Sequence, residues 1–421
     1  MKEIKPISNF NVTVAIPGSK SITHRAIIAA SLATGKSLIR NFLDSEDTIF
    51  TAETLKKLGV DIAFEGNNLH VSGTGGKFIP LVGRKELFLG NSGTSFRLLL
   101  SVVALGQGEF VMTGTPRMLT RPIGALVTAL NRLDVEASCI NQNSCPPVLI
   151  MANGIRGGRT EIAGNQSSQY LSSLLLTGPC MNQGVEIEVI GELVSTPYVD
   201  ITVDVMEQFG VKVERDNYSY FRVKPGKGYE AREYTIQGDA SSASYFWAAA
   251  AITGGVVTTE NIFPLSTRQG DICLLELLEK MGCRVERSSD RVTVHGGALS
   301  GIDADMGDLP DMVPTLAAVA LFAEGKTHIR NVQHLRIKES DRLRAIALEW
   351  GKLGAKVEET DDGLIIYGKG DLKGTVVFPH NDHRIAMSLA VIGLKVHGVK
   401  IEDEACVGKS FPRFWELWDK F

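Results

Sequence analysis

Apolar and polar positions alternate along this chain in an order that returns six times. Polar residues Pro17-Gly18-Ser19-Lys20-Ser21-Ile22-Thr23-His24-Arg25 open an apolar helical run over 26–33, halted at Gly35. Residues 38–41 then read as a strand and 48–58 as a helix with apolar residues at helical spacing. Residues 60–64 and 69–71 alternate like a hairpin around Gly66-Asn67-Asn68. The second copy opens at Gly90-Asn91-Ser92-Gly93 before an apolar run over 98–105, followed by a strand over 110–112 and a helix over 123–133. Later copies open at Gly164-Asn165-Gln166-Ser167-Ser168-Gln169, Gly238-Asp239-Ala240-Ser241-Ser242, Asp308-Leu309-Pro310-Asp311 and His380-Asn381-Asp382-His383-Arg384. The period is roughly 70–76 residues. In five copies the second helix ends in an apolar residue, then Gly or Asp, then a small apolar one: Leu58-Gly59-Val60, Leu133-Asp134-Val135, Phe209-Gly210-Val211, Met281-Gly282-Cys283 and Leu353-Gly354-Ala355.

Each unit therefore predicts strand, polar loop, helix, strand, helix and hairpin. A unit holding both a helix crossover and a hairpin requires a mixed sheet. Six units in 421 residues suggest two domains of three. The first helix of each unit is apolar nearly all round, as at Ala248-Ala249-Ala250-Ala251-Ile252, and so is expected in a core. If those helices run parallel, their polar loops share one face, and two such faces oppose each other across a cleft.

Composition narrows the chemistry. A net charge of -4 gives no global support for a nucleic-acid or anionic-membrane partner. No apolar stretch reaches the ~18 residues of a membrane span. The first ten residues lack the character of a signal or transit peptide, so a cytoplasmic protein is expected. The six cysteines form no Cys-x-x-Cys pair and no zinc-like spacing, and are read as reduced thiols. Against this acidic background the loops concentrate cations: Lys20, Arg25, Arg97, Arg121, Lys338, Arg342, Arg384 and Lys409. Hydroxyls and amides accompany them (Ser21, Asn91, Ser167, Ser168, Gln169, Ser195, Tyr198), as do the carboxylates Asp311, Glu339, Asp341 and Asp382. Arginine forks recognise phosphate and carboxylate, and helix N-termini add positive potential. Small, multiply charged anions are the ligands that fit. Each feature alone also fits an ordinary helix start, with capping residues at Asp382 and a first-turn Pro after Arg121.

Taken in order, Pro17-Gly18-Ser19-Lys20-Ser21, Leu89-Gly90-Asn91-Ser92-Gly93-Thr94, Pro116-Arg117-Met118 with Arg121-Pro122, Gly238-Asp239-Ala240-Ser241-Ser242-Ala243, Arg336-Ile337-Lys338-Glu339-Ser340-Asp341-Arg342 and Asp382-His383-Arg384 resemble the 5-enolpyruvylshikimate-3-phosphate synthase family. The likeness runs from the N-terminus to Lys409. It implies an α/β fold of two similar domains, each of three βαβαββ repeats around parallel internal helices (an inside-out α/β barrel), with the active site in the interdomain cleft. It implies domains of 1–18 with 238–421, and of 19–237. The implied reaction moves the enolpyruvyl group of phosphoenolpyruvate to the 5-hydroxyl of shikimate 3-phosphate. By resemblance, Ser21, Arg25, Ser167, Ser168, Gln169, Ser195, Tyr198 and Lys338 hold shikimate 3-phosphate, and Lys20 touches both substrates. Gly93, Arg121, Arg342, Arg384 and Lys409 hold phosphoenolpyruvate, with Asn91 and Gln169 nearby. Asp311 is the implied base and Glu339 the implied acid, while Lys20 or His383 assists the departing phosphate. No metal or organic cofactor is implied, the substrates are small molecules, and a monomer is expected.

Two positions depart from the family pattern: His334 stands where many members carry Asn, and Leu98 where a proline is common. A sister family transfers the same group to a UDP-linked aminosugar on this architecture. It carries Asn after the first-loop Lys and usually a reactive Cys near Arg121, whereas this chain has Ser21 and no Cys in 116–120. A non-catalytic anion binder would lack the acid and base, yet Asp311 and Glu339 are present.

Overall fold

Helices that open on the polar loops alternate with helices that lie half exposed. In chain order they are α1 (Lys20–Leu32), α2 (Glu46–Lys57), α3 (Gly93–Ala104), α4 (Gly124–Asn131), α5 (Ser168–Thr177), α6 (Pro197–Gln208), α7 (Ala240–Thr253), α8 (Leu274–Met281), α9 (Val313–Ala320), α10 (Arg342–Lys352), α11 (His383–Gly393) and α12 (Phe414–Trp418). The computed structural model describes residues 1–8, 10–226 and 228–420. Every residue of α7, α9 and α11 is buried, as their all-round apolar sequences require. In α8 only one stripe is buried (Leu274, Leu275, Leu277, Leu278, Met281), while Glu276, Glu279 and Lys280 face solvent.

Most of the loop-opened helices begin earlier than apolar periodicity predicts, α9 at Val313 being the exception. α1 starts at Lys20, not residue 26, and α3 at Gly93, not residue 98. Side-chain caps explain several of these starts. Ser92, Ser167, Asp239 and Asp382 each accept a backbone N–H from two or three residues ahead. That draws the polar residues into the first turn. At the other end, the recurring position after each second helix is left-handed in all five copies: Gly59, Asp134, Gly210, Gly282 and Gly354. There a Gly, or once an Asp, reverses the chain at little steric cost. Gly35 does not end α1; the strand Ala33–Arg40 follows directly.

The chain forms two units, Lys20–Ile236 and Met1–Ser19 with Gln237–Phe421, each with its own apolar core. The sheets are mixed. In the contiguous unit, Arg84–Phe88 runs parallel to Gln107–Thr113, which pairs antiparallel with Val148–Asn153, itself in a hairpin with Glu136–Cys139. Four further sheets repeat this order. The sixth copy departs from the expected unit. It has three strands, Val376–Val377 parallel to Lys400–Ile401 with Lys2–Glu3 antiparallel on the other side. Residues from the N-terminus stand where a hairpin would be, because the chain turns through 404–409 into the short α12 instead.

Each unit completes one of its sheets with a strand distant in sequence. Val12–Ala15, just before α1, pairs with Val256–Glu260, just after α7. Glu233–Thr235, just before α7, pairs with Ala33–Arg40, just after α1. The two connecting segments run together: the Ser19 N–H donates to the Gln237 carbonyl at 2.8 Å, and the Asp239 N–H to the Pro17 carbonyl at 2.9 Å. Among the described residues no helix is long and apolar enough to cross a membrane.

Candidate active site

In the contiguous unit the predicted cations lie on α1 (Lys20, Arg25), on α3 (Arg97) and before α4 (Arg121), while α5 opens with Ser168 and Gln169. Lys20, buried at the start of α1, lies 3.4 Å from Asp47 of α2. Arg25, one turn on, is 1% exposed. Its guanidinium donates to Thr202 Oγ1 at 2.7 Å, to Ser172 Oγ at 3.4 Å, and to the carbonyls of Ser21 and Tyr198 at 2.8 and 3.0 Å. All four partners are neutral oxygens. Burial, only partly offset by the Tyr198 phenol, pulls the Arg25 guanidinium down to about 10, so it stays charged at neutral pH without a bonded carboxylate. Such a cation favours an incoming anion strongly.

Arg97 donates to Gln169 Oε1 at 2.9 Å, and Gln169 Nε2 to Thr94 Oγ1 at 3.0 Å, tying α3 to α5. Arg121 follows a short turn (118–120), is buried, and donates to the Asn91 carbonyl at 3.2 Å. Gly93 is the first residue of α3; a Cβ there would sit 2.5–2.7 Å from the Arg121 guanidinium. Ser167 caps α5 and Ser168 begins it. Ser195 is a buried left-handed residue before α6 (φ 57°), and its carbonyl accepts the Tyr198 N–H at 3.2 Å. A non-glycine residue there costs about 1 kcal/mol, a strain concentrated at functional turns.

The discontinuous unit carries the carboxylates. Arg342 opens α10, is 1% exposed, and spreads over three acids. Its Nε and one terminal nitrogen donate to Asp382 at 2.8 and 3.2 Å, and its terminal nitrogens reach Asp311 at 2.8 Å and Glu339 at 3.1 Å. Burial alone would lower this guanidinium, but Asp382, Glu339 and Asp311 together raise it above its ordinary value. Arg384, in the first turn of α11, donates to the other oxygen of Asp311 at 2.7 Å. Asp311 is thus oriented by two guanidinium groups. Asp382 caps α11 and also accepts from Ser340 Oγ at 3.1 Å. His383 follows it, fully buried. Lys338 ends the turn before Glu339, and Lys409, buried, ends the turn over 404–409.

The predicted residues therefore form two clusters, one per unit: Lys20, Ser21, Arg25, Asn91, Gly93, Arg121, Ser167, Ser168, Gln169, Ser195 and Tyr198 in one, and Asp311, Lys338, Glu339, Arg342, His383, Arg384 and Lys409 in the other. Sequence reasoning missed Asp47 and did not assign Asp382 a partner. Both look like ordinary acidic residues at helix starts, and nothing local marks their cations. His334 is buried, and burial followed by the Lys338 charge pushes its imidazole down to about 3, so it is neutral. Leu98 is fully buried inside α3, where a proline would remove a helix hydrogen bond. Among the described residues no His, Cys, Asp and Glu cluster could hold a metal ion.

A family model described as EPSP synthase (3-phosphoshikimate 1-carboxyvinyltransferase) matches residues 4–418. The chain is 44% identical over 421 residues to the 3-phosphoshikimate 1-carboxyvinyltransferase of Syntrophobacter fumaroxidans, spanning 100% of this chain and 99% of that protein. It is 43% identical over 420 residues to the protein of that name from Sulfurovum, spanning 98% and 97%. The solved EPSP synthase of Acinetobacter baumannii is similar with a TM-score of 0.82 at 27% identity, over 99% of this chain and 97% of that one. The chain belongs to the EPSP synthase (3-phosphoshikimate 1-carboxyvinyltransferase) family.

Proposed function

We propose that this protein transfers the enolpyruvyl group of phosphoenolpyruvate to the 5-hydroxyl of shikimate 3-phosphate and releases phosphate, a step of aromatic amino acid biosynthesis. The observation that carries the chemistry is the pair Asp311 and Glu339 on one buried guanidinium, that of Arg342. The reaction needs two positioned carboxyl groups. The hydroxyl loses a proton as its oxygen attacks C2, and C3 gains one. The tetrahedral intermediate then expels phosphate while C3 returns a proton. Asp311, fixed by Arg342 and Arg384, is the base at the hydroxyl; Glu339 serves C3 in both directions. The cations of the other cluster, Lys20, Arg25 and Arg121, hold phosphate and carboxylate groups and so stabilise charge as it moves.

The test is phosphate release from phosphoenolpyruvate with and without shikimate 3-phosphate. Release that requires shikimate 3-phosphate supports the reading. Release driven by UDP-N-acetylglucosamine instead, or no release alongside tight anion binding, refutes it.

Gly93 gives a second test. With Gly93→Ala the added methyl must displace the flexible end of Arg121. The KM for phosphoenolpyruvate is expected to rise about tenfold, with that for shikimate 3-phosphate changed less than about twofold. The unsubstituted enzyme, which has no methyl in this pocket, is expected to be inhibited by glyphosate in competition with phosphoenolpyruvate. Full activity at saturating glyphosate would contradict that.

A further inference from the structure

We propose that Asp271 is a positioning residue for this reaction: its neutral carboxyl seats Ser241 beside Arg384, and its ionisation weakens the hold of Arg384 on an anionic substrate. The inference rests on the reaction proposed above.

Asp271 lies in the short turn Gly270–Cys273 and is 5% exposed. The turn is clamped to the start of α7 by Gln269, whose side chain accepts the Ala240 N–H at 3.1 Å and donates to the Gly238 carbonyl at 2.8 Å. Ser241 Oγ donates to Asp271 Oδ2. The other carboxyl oxygen, Oδ1, is buried without a hydrogen-bond partner. Ser241 Oγ in turn accepts from Arg384 at 3.4 Å, and the same Arg384 nitrogen donates to Asp311. One hydroxyl therefore separates Asp271 from the guanidinium that orients the base.

The charged and titratable groups around Asp271 come from four elements: Asp311 before α9, Arg384 on α11, Asp239 capping α7, and Cys273 on its own turn. An ionised carboxylate needs donors on both oxygens, and here one has none. Burial first, and the negative charge of Asp311 second, push the carboxyl up to about 7, against the pull of Arg384 and of the Ser241 hydroxyl. An acid raised in this way keeps its proton below that value and loses it above. The ionised form places a second negative charge beside Arg384, which already pairs with Asp311.

The test compares wild type with Asp271→Asn, whose amide mimics the neutral acid, and with Asp271→Ala, which leaves Ser241 without its partner. In wild type the KM for phosphoenolpyruvate is expected to rise about tenfold between about pH 6.5 and about pH 8.5; in Asp271→Asn it should stay flat, with kcat within about threefold of wild type near pH 6.5. Asp271→Ala is expected to lose kcat about tenfold or more at every pH, and the Asn variant to restore most of it. Infrared difference spectra of the substrate-free proteins locate the proton independently. A protonated-carboxyl band titrating near neutrality in wild type and absent from Asp271→Asn is expected. Parallel KM profiles in wild type and Asp271→Asn, or a band that is gone above about pH 5, would overturn the proposal. A wild type that releases no phosphate at any pH, with the band in place, would instead refute the underlying reaction and this role with it.

Discussion

Glu339→Gln is expected to lower kcat for phosphate release about 10³-fold while leaving both KM values within about threefold. The side chain meets Arg342 beside Asp311, and the amide keeps its shape while removing the transferable proton. Because the proposed acid works at C3, a second readout separates it from the base. In deuterated solvent, wild type should wash deuterium into C3 of recovered phosphoenolpyruvate when shikimate 3-phosphate is present. Glu339→Gln should stop that exchange. Asp311→Asn is expected to slow turnover about 10²-fold through the hydroxyl step, leaving its two guanidinium partners in place. A Glu339→Gln enzyme that turns over within tenfold of wild type, or still exchanges at the wild-type rate, would remove Glu339 from the acid role.

At Arg342 the largest expected effect combines stability with activity. Its guanidinium carries three acids, and Asp382 is fully buried. Arg342→Met leaves those carboxylates without a shared cation and should cost about 3–5 kcal/mol of unfolding free energy, measured by urea titration. The folded pKa of this arginine lies above its ordinary value. Its contribution is therefore fully present below the ordinary value and is lost only as pH rises through the folded one, so the cost should persist across the neutral range. Arg342→Lys restores the charge without the fork. It should recover part of the stability, yet remain about 10²-fold slow, because one ammonium cannot orient Asp311, Glu339 and Asp382 together. A Met variant as stable as wild type would show that the three acids find other partners.

Much of this was legible in the chain because the features are local. Apolar runs marked the buried helices, and the apolar–Gly–apolar endings marked five left-handed turns, with Asp134 serving where Gly is absent. The polar loops named the cations. Pairing was harder to read. Asp47 is one of two acids opening α2 and Asp271 sits in a short turn, and what distinguishes them is a neighbour 27 or 30 residues away, Lys20 or Ser241. Apolar periodicity placed the helix starts too late because caps, not hydrophobicity, fix the first turn. The truncated sixth sheet escaped notice for the opposite reason. Its third strand, Lys2–Glu3, is too short to carry a pattern and joins Lys400–Ile401 from the far end of the chain.

These long-range strand pairings bear on how the protein is made. Residues 20–236 hold every strand partner that the contiguous unit requires, so this unit can close while the remainder is still being synthesised. Val12–Ala15 cannot do the same. Its neighbours lie 245 residues downstream, as in the contact between Asn261 and the Ile16 carbonyl. At about 5–20 residues per second, the ribosome leaves that apolar strand waiting for about 12–50 seconds. During that interval it is an unpaired edge tethered to a finished unit, and its brevity, four residues with alternate positions facing solvent, limits what else it can join. The last-made half of the chain thus captures a strand made near its beginning.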